Sequence, residues 1–221
     1  MKLSRDELKG LMKNKMMQAG LKEEHADQTA EILTWAHERG YASHGAVRVE
    51  YYSERIAKGG ITTEPNFTWK ETGPCSGIYD GDNGIGYVVA TEGMKKAIEM
   101  AKKNGVAVVG MSNLSHSGSL GYYTEMAADE DLLAISFCQS DPMAVPYGGT
   151  EPYYGTNPIS FAAPTADDRK IVFDMATTVQ AWGKILDKRS QGAEIPADWA
   201  VDDKGLPVTD PHLVNALVPI A

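Results

Sequence analysis

The chain is poor in cysteine and in positive charge, and it lacks any long apolar run. Only two cysteines, Cys75 and Cys138, occur in 221 residues, and with five histidines they form no zinc-type spacing. No bound metal is expected. No stretch approaches the ~20 apolar residues that a membrane span requires. The opening segment "MKLSRDELKGLMKNKM" is charged throughout and has no apolar signal core. A cytoplasmic protein without membrane contact is the expectation, with both cysteines as free thiols. Lysine and arginine number 21 against 30 acidic residues, a net charge of -9, and the cations are not clustered. That argues against nucleic acid as a partner, because phosphate neutralisation needs a basic patch. A small anion remains possible, since one well-placed arginine can hold it.

Several familiar signatures are also missing. "GDNGIGYV" has glycines at 81, 84 and 86 but Val89 where a dinucleotide fingerprint would need its third. There is no phosphate-loop lysine motif, no G-x-S-x-G and no H-E-x-x-H. A nucleotide enzyme built on this sequence would bind its cofactor by another route.

What is present reads as a helical unit followed by an α/β region. Ser4 and Glu7 have the spacing of a capping box, Leu8, Leu11 and Met12 supply an apolar stripe, and Gly20 is a stop. A second helix is expected from Glu23 to Arg39, with Ala26, Ala30, Leu33 and Ala36 on one face, and a third from Ala46 to before Gly59. From about residue 63 the texture changes. "NFTWKET", "SGIYDGDNG", "VAVVGM", "LLAISFC", "ISFAAP" and "KIVFDMA" read as strands, with "VAVVGM" expected to be buried. Helices are expected over Tyr87–Ala101, over Leu120–Asp129 and around "VQAWGKILDKR". "WAVDDKGLPVTDP" reads as a turn-rich surface segment. Alternating strands and helices imply an α/β layer that is at least partly parallel.

Four stretches could carry chemistry. In "SHGAVRVEYYSERI", His44, Arg48 and Tyr52 fall four apart, with Val47 and Tyr51 on an adjoining apolar stripe. Such a face could receive a carboxylate at the guanidinium, or it could be a solvated face with an incidental histidine. In "NLSHSGSLG", His116 follows a strand in a loop of serine and glycine, where α/β proteins place ligand groups. An imidazole there could exchange a proton with an alcohol, or could simply bond its own loop. The long "CQSDPMAVPYGGTEPYYGTNP" has Ser140 and Asp141 just beyond a strand, as polar ligand groups or as an ordinary connection. In "FDMATT", Asp174 could accept hydrogen bonds from a ribose, or the segment could cap a helix.

"YASHGAVRVEYYSERIAKGG", "NGVAVVGMSNLSHSG", "CQSDPMAVPYGG", "YYGTNP" and "FDMATTVQAWGKILD" together resemble the type-2 malate/L-lactate dehydrogenase family over essentially the whole chain. The resemblance implies an α/β fold with an N-terminal helical unit (1–62) and a mixed-sheet, non-Rossmann NAD-binding domain (63–221). It implies NAD as cofactor, with NADP not excluded, a homodimer, and a small anionic 2-hydroxy acid as substrate. "CQSDPM" and "MATTVQAWGK" favour the ureidoglycolate branch, ahead of malate, lactate or sulfolactate oxidation and of imine-acid reduction. By the same resemblance, His116 falls on the acid/base position, with His44 as its rival. Ser43, Arg48, Tyr52 and Asp141 fall on the substrate side. Ser140, Asp174, Met175 and Ala176 fall on positions that meet the dinucleotide. The family continues past "LVNALVPIA" into a segment that also meets cofactor, so weak or absent activity is expected of residues 1–221 by themselves. A binding or structural fragment is the alternative of another class.

Overall fold

The computed structural model describes residues 2–167 and 169–220. Helix α1 (Arg5–Gln18) begins where the serine–glutamate spacing places it. The Ser4 hydroxyl accepts from the Glu7 amide at 3.3 Å, and the Glu7 carboxylate accepts from the Ser4 amide at 2.8 Å. Met12 and Met16 are its buried residues, whereas Leu11, expected on the apolar stripe, is exposed. The stripe runs at i and i+4, and Leu11 stands one position off it. Helix α2 (Glu23–Glu38) buries Ala26, Ala30, Leu33 and Ala36 as expected. Lys9 and Lys13 of α1 reach Asp27, Glu31 and Glu23 of α2, exposed pairs that fix register more than they add stability.

Helix α3 (Arg48–Ala57) starts two residues later than its pattern suggests, after a short 3-10 turn at Ala42–His44. Its buried residues are Val49, Tyr52, Ser53 and Ile56. Val47 and Tyr51, expected on an apolar stripe, are exposed.

Strands β1 (Thr68–Gly73) and β2 (Ser76–Gly84) pair antiparallel. Helix α4 (Gly86–Asn104) carries the chain to β3 (Val108–Leu114), which pairs parallel with β2. This β-α-β crossover gives a mixed sheet of order β1-β2-β3. Val108 is 68% exposed, so "VAVVGM" is an edge strand with one open face and not the buried strand expected. Apolar runs this short do not distinguish the two cases.

Helix α5 (Gly121–Ala128) follows the loop that carries His116. Trp35 of α2 donates its indole N–H to Glu125 of α5 at 2.6 Å, and Arg39 donates to both oxygens of the same carboxylate at 3.0 Å. The end of that loop is thus tied to the helical N-terminus.

Strands β4 (Ala134–Phe137), β5 (Ile159–Pro164) and β6 (Lys170–Met175) form a second sheet of order β4-β5-β6. Helix α6 (Trp182–Gln191) and the short β7 (Ala200–Val201) and β8 (Ala216–Leu217) complete the described elements. "WAVDDKGLPVTDP" is not the surface segment expected: Ala200, Val201 and Val208 are buried. Ala200 and Val208 join Ala144, Ile185, Ile195 and Leu217 in one apolar core, and Val201 packs with Val145 and Ala216 in another. Alternation of core and turn residues over so short a span conceals a strand from a composition reading. One face of the second sheet stays open, with Ile135, Phe137, Phe161 and Met175 exposed and Phe161 stacked on Phe173 at 4.9 Å.

The chain divides into two compact units, residues 1–134 with 162–172, and residues 135–161 with 173–221. Among the described residues, no helix is long and apolar enough to cross a membrane.

Ile185, wholly buried, is the clearest test of the second core. Ile185→Ala is expected to cost about 2–5 kcal/mol, the range for deleting such a side chain from a packed interior. Urea unfolding of the two proteins measures it, and a difference near zero would contradict the packing described.

Candidate active site

Five candidates meet in the first unit. Arg48 opens α3, and its Nε donates to the Ser43 carbonyl at 2.7 Å. This bond turns the guanidinium back over the "SHG" turn, where among the described residues no carboxylate pairs with it. The Ser43 hydroxyl and His44 Nδ1 are 3.0 Å apart. One turn into α3, Tyr52 is completely buried, and its hydroxyl lies 2.6 Å from His116 Nδ1. The His44 and His116 rings stack at 5.7 Å between centroids. His116 therefore does not bond its own loop, and the face carrying Arg48 and Tyr52 is not a solvated one.

The electrostatics follow from this crowding. Desolvation, and then the Arg48 charge, lower the His44 pKa from 6.5 to about 4. His116 is held below its usual value by desolvation first, then by Arg48, His44 and Arg55. His116 also belongs to the exposed residues, so water reaches one side of its ring and moderates the shift. Burial raises the Tyr52 phenol to about 12, against smaller opposing effects from Tyr87 and Arg48. At neutral pH the cluster holds the Arg48 cation, two neutral imidazoles and neutral phenols, with the Arg55 charge also felt at His116. That combination suits an anion whose neighbouring hydroxyl must give up a proton.

A sixth participant was not singled out from sequence. The Tyr87 hydroxyl lies 3.0 Å from that of Tyr52, and Tyr87 is completely buried. It follows directly on Gly86, one of the glycines that read only as a broken fingerprint. Among the described residues, Tyr52 is the sole partner of the Tyr87 hydroxyl. Every buried O–H is then satisfied only when Tyr87 donates to Tyr52 and Tyr52 donates to His116 Nδ1. The imidazole proton at rest then sits on Nε2.

The remaining candidates fall in the second unit. The Ser140 hydroxyl accepts from the Thr156 amide at 2.9 Å, and the Ser140 amide donates to the Asn157 side chain at 3.2 Å. The Thr177 amide donates to the Thr156 carbonyl at 2.9 Å. Ser140 and the run Asp174–Ala176 are thus brought together through Thr156. Asp174 and Ala176 are half-buried, and Met175 and Asp141 are exposed. Ala181 caps α6 without a side-chain bond, so "FDMATT" is not a helix cap. The long loop also serves the fold, since Ala144 bridges Tyr154 and Leu217. A half-buried carboxylate beside small residues and an exposed thioether has the chemistry to meet a ribose and a flat ring. Two grooves beside α1, one lined by Thr34 and His37 and one by Glu50 and Ser53, hold none of these groups.

The fold is that of a small mixed-sheet α/β protein in which an arginine, two histidines and two phenols come together. The chain belongs to the malate/L-lactate dehydrogenase family, whose model matches residues 3–221. It is 58% identical over all 221 residues to the ureidoglycolate dehydrogenase (NAD(+)) of Escherichia coli, and spans 63% of that relative's length. It is 41% identical over 204 residues to the malate dehydrogenase of Pyrococcus abyssi, covering 92% of this chain and 56% of the relative. Among solved structures, a dehydrogenase from Sinorhizobium meliloti superposes with a TM-score of 0.94 at 32% identity, over 100% of this chain and 66% of that one.

The depressed imidazoles make a stability prediction. Between about pH 4 and 6.5 the unfolded chain binds a proton at residue 44 that the folded chain refuses. The contribution is complete above 6.5 and is lost as pH falls towards 4. Urea midpoints across this window should fall with pH in the unmodified chain, and less steeply in His44→Gln. Equal slopes would contradict a buried neutral imidazole.

Proposed function

We propose that this chain supplies the proton-transfer and carboxylate-binding groups of an NAD-dependent 2-hydroxy-acid dehydrogenase, with ureidoglycolate as substrate and oxalurate as product. The observation that carries the proposal is the charge pattern of the recess, a guanidinium acting on two imidazoles that stay neutral. The 58% identity to a ureidoglycolate dehydrogenase supports that substrate, and the 41% identity to a malate dehydrogenase makes malate the second reading.

Arg48 binds the substrate carboxylate and fixes its orientation. His116 Nε2 takes the proton of the adjacent hydroxyl as the C–H bond breaks. A nicotinamide, when bound, would supply the electron sink for the hydride of that carbon. For Nε2 to accept, the hydrogen-bond chain runs in reverse: Nδ1–H donates to Tyr52 and Tyr52 donates to Tyr87. In the reducing direction, the resting polarity already presents Nε2–H to a carbonyl. Two hydroxyl rotations and a shift of the imidazole proton from Nε2 to Nδ1, exchanged through water at the exposed side of the His116 ring, separate the states. His44, with Nδ1 engaged by Ser43, lines the recess as the second imidazole. Ser43 steadies Arg48 and His44, and Tyr52 orients His116. Ser140, Asp174, Met175 and Ala176 hold the dinucleotide, and Asp141 borders the substrate. A homodimer and a cytoplasmic setting belong to the same proposal.

Formation of NADH at 340 nm (a property of the cofactor) with ureidoglycolate, malate and sulfolactate, and again with NADP, tests it. Ureidoglycolate with NAD is expected to give the highest kcat/KM. His116→Ala should lower kcat by at least about 100-fold, within the range for losing a general base. Arg48→Met should act mainly on KM. Retained turnover in His116→Ala with loss in His44→Ala would transfer the proton to the other ring. No turnover with any acid, when this chain is extended to the length of its relatives, would overturn the proposal.

A further inference from the structure

We propose that Gly86 and Tyr87, the first two residues of α4, are positioning residues for His116. In the dehydrogenase reading Tyr87 is only the far end of a hydrogen-bond chain and Gly86 has no part. The case rests on how closely they hold the loop 115–118 from three directions.

Gly86 holds it from below. Its amide donates to the Ser115 hydroxyl at 2.9 Å. A Cβ at residue 86 would stand 2.0 Å from the Ser115 carbonyl oxygen and 2.6 Å from that of His116. Backbone meets backbone there, so no side-chain rotation could relieve even a methyl group. Tyr87 holds the loop from the side. A Cβ at Gly118 would lie 2.5 Å from the Tyr87 ring, and Gly118 has φ +75, so the loop turns in the left-handed region exactly where it rests on that ring. Tyr87 finally holds the imidazole itself, through Tyr52. The two phenol rings meet edge-on at 5.4 Å, and the Tyr52 ring stacks at 6.1 Å on that of His116. One short segment thus sets the height of the loop, its turn and the hydroxyl that Nδ1 meets.

A side chain that merely filled the core would affect stability alone. A positioning residue also affects the imidazole. Removing the Tyr87 hydroxyl takes away the donor that polarises Tyr52, so the bond from Tyr52 to Nδ1 weakens. The catalytic consequence rests on the proposed role of His116, but the effect on the ring does not.

The experiment is nitrogen-15 NMR of the histidine rings in the unmodified chain, in Tyr87→Phe and in Tyr79→Phe, a buried phenol outside this network. The His116 Nδ1 resonance is expected to move towards that of an unbonded ring nitrogen in Tyr87→Phe and to stay in place in Tyr79→Phe. In steady-state assays, kcat should fall by about 10-fold in Tyr87→Phe with KM within about twofold, as misplacement of a reacting group predicts. Gly86→Ala should lower kcat further. An unmoved Nδ1 resonance in folded Tyr87→Phe would overturn the proposal. If that variant does not fold, the unmodified chain decides: slowly exchanging hydroxyl protons of Tyr52 and Tyr87 with Overhauser contacts linking them to the His116 ring support it, and their absence refutes it. Absence of turnover when the chain is extended to the length of its relatives sinks the dehydrogenase reading and leaves the NMR result to judge this one.

Discussion

A fixed cation and two imidazoles can share a recess only while both rings stay neutral, and this constraint organises the first unit. Protonating either ring would set its charge against that of Arg48, most strongly at the more enclosed His44. The fold meets the constraint by desolvating His44, by leaving Arg48 without a carboxylate partner among the described residues, and by giving His116 Nδ1 a phenol. A carboxylate in place of Tyr52 would hold the second ring as imidazolium. A phenol whose pKa is pushed up to about 12 can donate or accept without adding charge. The same site can therefore present either a proton or a lone pair at Nε2.

Neutral rings at close range need accurate placement, and backbone supplies it. The residues concerned come from α3, from the start of α4 and from the loop after β3. The crossover β2-α4-β3 brings the last two together, because parallel pairing places the end of β3 beside the end of β2, where α4 begins. The Ser115 amide donates to the Gly84 carbonyl at 3.1 Å, extending that pairing into the loop. Glycines at 84, 86 and 118 allow an approach that side chains would block.

Much of this was legible in the sequence, and the gaps have physical causes. The capping box, the small-residue face of α2 and the alternation of strand and helix follow from local chemistry and periodicity. So does the placing of Arg48 and Tyr52 four apart on α3, whereas His44 lies in the 3-10 turn before that helix. The meeting of Tyr52 with His116 is not local: 64 residues separate them, and only the fold joins them. Tyr87 was hidden for another reason. Its segment was tested against a nucleotide-binding pattern, and failure against that pattern says nothing of a glycine used for loop packing. Val108 and the stretch around Ala200 were misread because short apolar or turn-rich runs do not reveal which face a neighbour covers.

The second unit gathers Ser140 and Asp174–Ala176 by the same means, loops tied by backbone and hydroxyl bonds rather than by charge. The central claim lies in the first unit, that Arg48, His44 and His116 address one small acid. Titration with oxamate, a small carboxylate bearing an adjacent carbonyl, tests it most directly by NMR. The account predicts that the Arg48 guanidinium and both imidazoles shift together along a single saturation curve. Saturation at Arg48 with His116 unmoved would contradict it.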